Sequence, residues 1–274
     1  MPKLPSWTQM KNQLIFPGSM IPGKSTEEIL AYASADTSLL SYSTRSEYQV
    51  GLMAGSIVAT SGRSPLRTSK AYHLLYFYGN GMCLETSVQD VSYFQQLGFN
   101  VLIPEYLGYG ISSGNVSEAG CYETADAAYH YLTVTRHVDP SQIIACGWSL
   151  GAAVAIDLAA RKPVAGLVSI SAFTNLVNQA HAMLPWVPCS LIRLCVSERF
   201  DNLSKIRHVS CPVFIAHGTQ DELIPFAMAE QLAHLAQTRV PVTFFPLEGC
   251  GHNDIFEVRG NVLGSAIQAF RESI

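Results

Sequence analysis

The sequence predicts an α/β protein built on a mostly parallel, doubly wound sheet, with an antiparallel hairpin at its N-terminal edge and a small helical cap. From Ala71 onward, short apolar runs alternate with helical stretches, the pattern of repeated βαβ units. One unit contains Gly147-Trp148-Ser149-Leu150-Gly151 between the apolar run Gln142 to Cys146 and the alanine-rich residues 152–160, so strand, sharp turn and helix follow one another. Hydrophobic residues make up 48% of the chain and charged residues 14%, against roughly 25% charged in ordinary soluble domains, which assigns much of it to sheet interior and helix undersides.

Residues 1–37 carry Pro2, Pro5, Pro17 and Pro22 and one helix-forming stretch, Thr26 to Ala33, and read as a peripheral lead-in to a domain over 38–274. Leu39 to Arg45 and Val50 to Thr60 are two strand-like runs joined by a polar turn, the edge hairpin, and Arg63-Ser64-Pro65-Leu66 is a loop. Then come a strand over Ala71 to Tyr78, a helix over Thr86 to Leu97, a strand at Val101 to Pro104, an amphipathic helix over Glu118 to Thr135, and the strand that enters Gly147. Strands at Gly166 to Ser171, Cys211 to Ala216 and Val242 to Pro246 follow, with helices at Pro225 to Ala236 and Val258 to Ser273. Residues from about 175 to 208 are apolar without strand character, and an insertion there lies across the carboxyl ends of the strands, where ligands bind in such sheets, so they are read as the cap.

The net charge is −4 with Lys and Arg scattered, which leaves no footprint for nucleic acid. The seven cysteines show no C-x-x-C pair, and read as reduced and mostly buried thiols. No apolar run is long enough for a transmembrane segment and the N-terminus lacks a signal-peptide pattern, so a cytoplasmic protein is expected, an exported one staying open. A lightly charged surface tolerates peripheral lipid contact. Oligomeric state is left open.

The chemistry centres on Ser149. Glycines two before and two after it permit a strained turn that lifts its hydroxyl above the sheet edge, a nucleophile elbow. A serine hydroxyl needs a base, and the base an orienting acid. Asp221, in His217-Gly218-Thr219-Gln220-Asp221, follows an apolar strand, and His252, in Gly249-Cys250-Gly251-His252, follows the last one. Ser, Asp, His is the chain order this architecture requires. Asp221 alone could merely cap the helix near Pro225, and Glu222 is a competing acid; His217 reads as structural, and His181 and His234 as surface or cap residues. The oxyanion hole needs two backbone N–H groups: Leu150, after the nucleophile, and Asn80 in Tyr78-Gly79-Asn80-Gly81-Met82, with Met82 as second choice. Met82, Trp148, Leu184, Trp186 and Ile224 are candidate walls of a substrate pocket. Cys83, Cys250 and His252 lack zinc-site spacing, so neither metal nor cofactor is expected. Gly108-Tyr109-Gly110 is too short for a phosphate loop and reads as a turn.

With elbow, acid, base and oxyanion loop in place, residues 38–274 resemble an α/β-hydrolase. Tyr78-Gly79-Asn80-Gly81, Glu105-Tyr106-Leu107-Gly108-Tyr109-Gly110, the elbow and His217-Gly218-Thr219-Gln220-Asp221 resemble the short-cap branch, which holds serine-aminopeptidase-like proteins, lysophospholipase-like esterases and protein depalmitoylases. The resemblance implies a triad of Ser149, Asp221 and His252 and an oxyanion hole of Asn80 and Leu150. The chain departs from that branch at Tyr78, where a histidine is usual, at Glu105 for aspartate and at Leu107 for arginine; the last suggests an apolar ligand. The expected activity is a cofactor-free serine hydrolase acting on an ester or thioester of a small-molecule or acylated substrate. A serine peptidase, with Glu198 and Asp201 as the only candidate amine-binding carboxylates, and a non-catalytic ligand-binding protein on the same fold are the alternatives. A serine at the elbow excludes an aspartate-nucleophile dehalogenase or epoxide hydrolase.

Overall fold

The computed structural model describes residues 15–21, 23–31, 33, 36–55 and 71–274. Its apolar runs form eight strands: β1 (Thr37–Ser43), β2 (Gln49–Gly55), β3 (His73–Phe77), β4 (Asn100–Pro104), β5 (Ile143–Trp148), β6 (Gly166–Ile170), β7 (Val213–Gly218) and β8 (Val242–Leu247). They pair in the order β1-β2-β4-β3-β5-β6-β7-β8. Every residue of β6 and β7 is buried and β3 and β5 are buried but for one end, as expected of central parallel strands covered on both faces. The edge strands β1 and β8 are only half-buried. β1 and β2 form the predicted antiparallel hairpin, with Thr37 opposite Gly55 and Ser43 opposite Gln49, and β2 runs antiparallel to β4; all other pairs are parallel. The predicted continuation of the second strand to Thr60 and the loop at Arg63 to Leu66 lie outside the described residues.

Nine α-helices among the described residues flank or connect the strands: α1 (Thr26–Leu30), α2 (Val88–Gln96), α3 (Glu118–His130), α4 (Leu150–Arg161), α5 (Leu176–Met183), α6 (Cys189–Cys195), α7 (Asn202–Lys205), α8 (Phe226–Gln237) and α9 (Ile255–Glu272). Short polar side chains start several of them. Ser25 and Glu28 make a reciprocal capping box on α1, and Ser117 accepts the Gly120 N–H at α3. The helix expected to run to Thr135 is α-helical only to His130, then widens to a π turn over Tyr131–Thr135 that buries Tyr131 and Leu132.

One face of the sheet carries α2 and α9, which touch where Gly260 and Gly264 leave room: Tyr93 donates to Gly260 O at 2.7 Å, and a Cβ on Gly264 would lie 2.9 Å from Leu97. The other face carries α3, α4, α7 and α8. Residues 150–159 of α4 are all buried, and so is Asp157, whose carboxylate takes Arg161 at 2.5 Å and Lys205 at 3.1 Å. Pairing makes that buried charge tolerable and ties α4 to α7. α5 and α6 form a separate helical pair between β6 and α7.

Chain order reverses between β3 and β5: β3 leads outward through α2 to β4, whereas β5 leads through α4 the other way. Such a switch point opens a crevice at the strands' carboxyl ends, here between the loop after Phe77 and the turn after Trp148.

Candidate active site

The turn after β5 places Ser149 at φ 56°, ψ −117°, a left-handed conformation that costs a non-glycine residue on the order of 1–3 kcal/mol. Two backbone bonds hold it there: Ser149 N–H donates to Ile170 O at 2.9 Å, and Ser149 O accepts from Ala152 N–H at 3.0 Å. The flanking glycines are required by contact. A Cβ on Gly147 would strike the Gly151 carbonyl, and one on Gly151 the Phe77 carbonyl.

The loops after β7 and β8 reach the same point. His252 Nε2 lies 3.0 Å from Ser149 Oγ, and His252 Nδ1 lies 2.7 Å from Asp221 Oδ2. A ring nitrogen facing a carboxylate carries the proton, so Nδ1–H donates to Asp221 and Nε2 is left to accept from the serine hydroxyl. Trp148 stacks on the His252 ring, centroids 5.4 Å apart at 30°, and His252 is buried.

Asp221 is held from all sides. Oδ1 accepts the N–H groups of Leu223 at 2.9 Å and Ile224 at 2.7 Å, so the acid belongs to its own tight turn. Oδ2 is shared between His252 and His217, whose Nε2 is 3.1 Å away and 2.9 Å from Ile224 O. Since a carbonyl only accepts, His217 carries its proton on Nε2 and donates toward both oxygens. Burial alone would raise the Asp221 pKa, but the bonds from His217, His252 and Ile224 N–H outweigh it and hold the carboxyl well below the usual range. Glu222, the competing acid, accepts the His252 backbone N–H at 3.3 Å and does not meet the imidazole ring.

Leu150 is the first residue of α4, so its N–H is one of the helix's unpaired leading donors and lies next to Ser149. In the loop after β3, Met82 gives its N–H to Gly79 O at 3.3 Å, which closes a turn and occupies that donor. Asn80, at the head of this turn, is braced through its side chain: Oδ1 accepts from Tyr109 OH at 3.0 Å and Nδ2 donates to Ile15 O at 2.6 Å. The lead-in thus reaches the site. Phe16 is fully buried and packs edge-on to Phe200 at 6.1 Å, and a Cβ on Gly18 would meet the Tyr109 ring.

Glu105 lies beneath the same loop. Its Oε1 accepts from Tyr78 OH at 2.7 Å and Leu84 N–H at 2.9 Å, and its Oε2 from Ile111 N–H at 3.3 Å. Burial raises its pKa further than these donors lower it. Tyr78 and Glu105, two of the three departures from the short-cap pattern, therefore bond to each other. Leu107, the third, is buried and bonds through its N–H to Thr124 on α3, so it packs in the core and carries no information on ligand polarity. The Gly108 to Gly110 segment is a turn, with Gly108 at φ 78° and Gly110 at φ 41°.

Of the expected pocket walls, Trp148 is half-buried against His252, Met82 is half-buried in the loop after β3, and Ile224 is buried beside Asp221; Leu184 is 42% and Trp186 76% exposed. Glu198 and Asp201 are engaged elsewhere: Glu198 accepts Glu118 N–H at 2.8 Å, and Asp201 caps α7. All seven cysteines are free, five of them buried. Among the described residues no cluster of His, Cys, Asp and Glu could hold a metal ion, and no helix is long and apolar enough to cross a membrane. In the sequence His217 reads only as structural, and nothing there points to the Glu105 contacts or to Ile15. His217 stands four residues before Asp221 at a strand end, which is a usable signal; the other two depend on distant pairings.

A family model described as the alpha/beta hydrolase fold matches residues 72–188. The chain is 34% identical over 196 residues to Alpha/beta hydrolase domain-containing protein 17B of Xenopus laevis, covering 71% of this chain and 65% of that protein. It is 36% identical over 174 residues to an uncharacterised protein of Mycobacterium tuberculosis, covering 64% and 60%. The matches thus span less than two thirds of these relatives' length. Among solved structures, an alpha-beta hydrolase from Vibrio vulnificus superposes with a TM-score of 0.75 at 19% identity, covering 99% of this chain and 95% of that one. The Pyrococcus furiosus esterase Pf2001 superposes with a TM-score of 0.69 at 16% identity, covering 92% and 95%. At such identities the likeness is one of fold.

Proposed function

The chain belongs to the α/β-hydrolase superfamily, and we propose that within it this protein is a serine hydrolase of the short-cap kind, cleaving a carboxylic ester or thioester through an acyl-enzyme. The observation that carries the proposal is the continuous relay from Asp221 Oδ2 through His252 to Ser149 Oγ, with spacings of 2.7 Å and 3.0 Å, on a strained elbow. Ser149 Oγ attacks the acyl carbonyl as His252 Nε2 takes its proton. The tetrahedral oxyanion forms against the N–H groups of Leu150 and Asn80. His252 then protonates the leaving alcohol or thiol as the carbonyl reforms and the C–O or C–S bond breaks. Water repeats the cycle on the acyl-enzyme, giving its proton to His252 and releasing the carboxylic acid with Ser149 regenerated. Asp221 keeps Nδ1 protonated and stabilises the imidazolium, and His217 with the two loop N–H groups keeps Asp221 ionised.

An apolar acyl chain is favoured by Trp148, stacked on His252, and by Ile224, next to the Asp221 turn, both of them apolar. A peptidase has less support, because both carboxylates that could hold a substrate amine are committed to structural bonds.

The test is turnover of nitrophenyl esters and acyl thioesters from two to sixteen carbons by the wild type and Ser149→Ala. The wild type should show a chain-length optimum, and the variant should lose about 10⁴-fold or more while keeping its melting temperature. A folded variant that retains turnover overturns the proposal, and a folded wild type inert on every substrate favours a ligand-binding protein.

A further inference from the structure

We propose that the outer surface of the α5–α6 cap is a docking face for a lipid bilayer. Met183, Leu184, Trp186, Leu191 and Leu194 are 58%, 42%, 76%, 51% and 82% exposed, and they fall at the end of α5, in the connection and on α6. The connection is structured: Val187 N–H donates to Leu184 O at 3.0 Å, and His181 Nδ1 meets Val187 O at 3.2 Å. Leu191 and Leu194, three apart on α6, lie on one helical face, while Ile192 is buried and anchors the helix.

Charge selects the occupant. The chain is acidic overall, at −4, yet not one Asp or Glu occurs between Asp157 and Glu198, and Arg193 is exposed among the apolar side chains. The cap is therefore a face that can approach phosphate headgroups without repulsion. A tryptophan beside an arginine suits the interface between headgroups and acyl chains, where the indole ring and a snorkelling guanidinium both lie at headgroup level. A second copy of the chain is a poorer occupant. A stable protein interface takes about 800 Å² from each partner, some 20–30 residues a side, far more than these five side chains supply, whereas adsorption to a bilayer has no such minimum.

The face is joined to the triad. Gln179 on α5 donates through Nε2 to Leu223 O at 2.6 Å, two residues from Asp221, so a docked cap holds the site close to the bilayer surface. That last step rests on the acyl-hydrolase reading; the docking itself does not.

The experiment is flotation of the full chain with vesicles of phosphatidylcholine alone and with one third phosphatidylglycerol. It compares wild type, Leu191→Ser/Leu194→Ser and Leu194→Glu, each repeated in the Ser149→Ala background so that binding is read without turnover. The wild type should float with both vesicles, more with the anionic ones. The double serine variant should partition at least about tenfold more weakly, and the glutamate variant weaker still on anionic vesicles. Unchanged melting temperatures and unchanged turnover of a short soluble ester control for folding. A wild type that does not float, or variants that float equally, overturns the proposal. So does a dimer in sedimentation velocity that the same substitutions abolish, since the face would then belong to a second copy.

Discussion

Replacing Asp221 by Asn removes one charge while keeping the side chain's shape, and the surrounding bonds dictate how the new amide must turn. Its oxygen must face the N–H groups of Leu223 and Ile224, because turning the NH₂ toward them would oppose two donors in a buried site, at a cost of about 1–3 kcal/mol for each group left unpaired, whereas the other orientation opposes only the His217 Nε2–H, which keeps Ile224 O as its acceptor. The NH₂ then faces His252 Nδ1 and becomes the donor in that bond. His252 is forced into the tautomer with its proton on Nε2, pointing at Ser149 Oγ, and can no longer accept the serine proton. Loss of the base through the wrong tautomer costs about 10⁴-fold in kcat, or about 5.5 kcal/mol. Stopped-flow hydrolysis of nitrophenyl acetate measures it. Glu222→Gln is the control: Glu222 accepts the His252 backbone N–H, a bond the amide oxygen of glutamine also accepts, so the change should stay within about threefold. A fall of less than about tenfold in folded Asp221→Asn, or a larger one in Glu222→Gln, would refute the assignment of the orienting acid.

Tyr109→Phe removes the hydroxyl that braces Asn80 and should lower kcat by about 3–10-fold with KM unchanged, in steady-state kinetics on the best ester. Gly151→Ala drives a methyl group into the Phe77 carbonyl beneath the elbow and should cost more than about 3 kcal/mol, read from the denaturant midpoint. Asp90→Asn gives a pH-dependent gain. Burial pushes the Asp90 carboxyl up to about 7 despite the neighbouring Tyr76 hydroxyl, while the unfolded chain keeps it near about 3.9. Above pH 7 the wild type therefore carries a buried charge that destabilises it, and below about pH 4 both states are neutral. The variant should be more stable at pH 8, by about 4 kcal/mol, with the gain fading as pH falls through 7 and gone by pH 4. A gain that grows toward acid pH would contradict this.

What could be read from the sequence was what depends on neighbouring residues. Gly147 and Gly151 announce the elbow because only glycine fits between two carbonyls there, and the strand and helix around them fix its direction. Asp221 and His252 could be placed because each follows an apolar run that had to be a parallel strand, and parallel strands deliver their loops to one edge. What could not be read depends on pairings across the chain. Glu105 looks like a loop residue in sequence, yet it is buried by partners 27, 21 and 6 residues away. Leu107 suggests an apolar pocket by its place in a motif, and only its packing against α3 shows that it faces the core. The π turn at Tyr131–Thr135 is set by the burial of Tyr131 and Leu132, which the helical pattern of 118–135 cannot distinguish from a continued α-helix. In the cap, composition marks Leu184 and Trp186 as apolar but does not say which way an apolar side chain looks, and both are exposed.

An activated Ser149 underlies the whole mechanism, and intact-mass analysis after reaction with a fluorophosphonate probe tests it most directly. The wild type should gain one phosphonyl adduct per chain, mapped to the peptide containing Ser149, while Ser149→Ala gains none and Asp221→Asn reacts far more slowly. An adduct that persists in folded Ser149→Ala, or folded wild type that stays unlabelled, would contradict it.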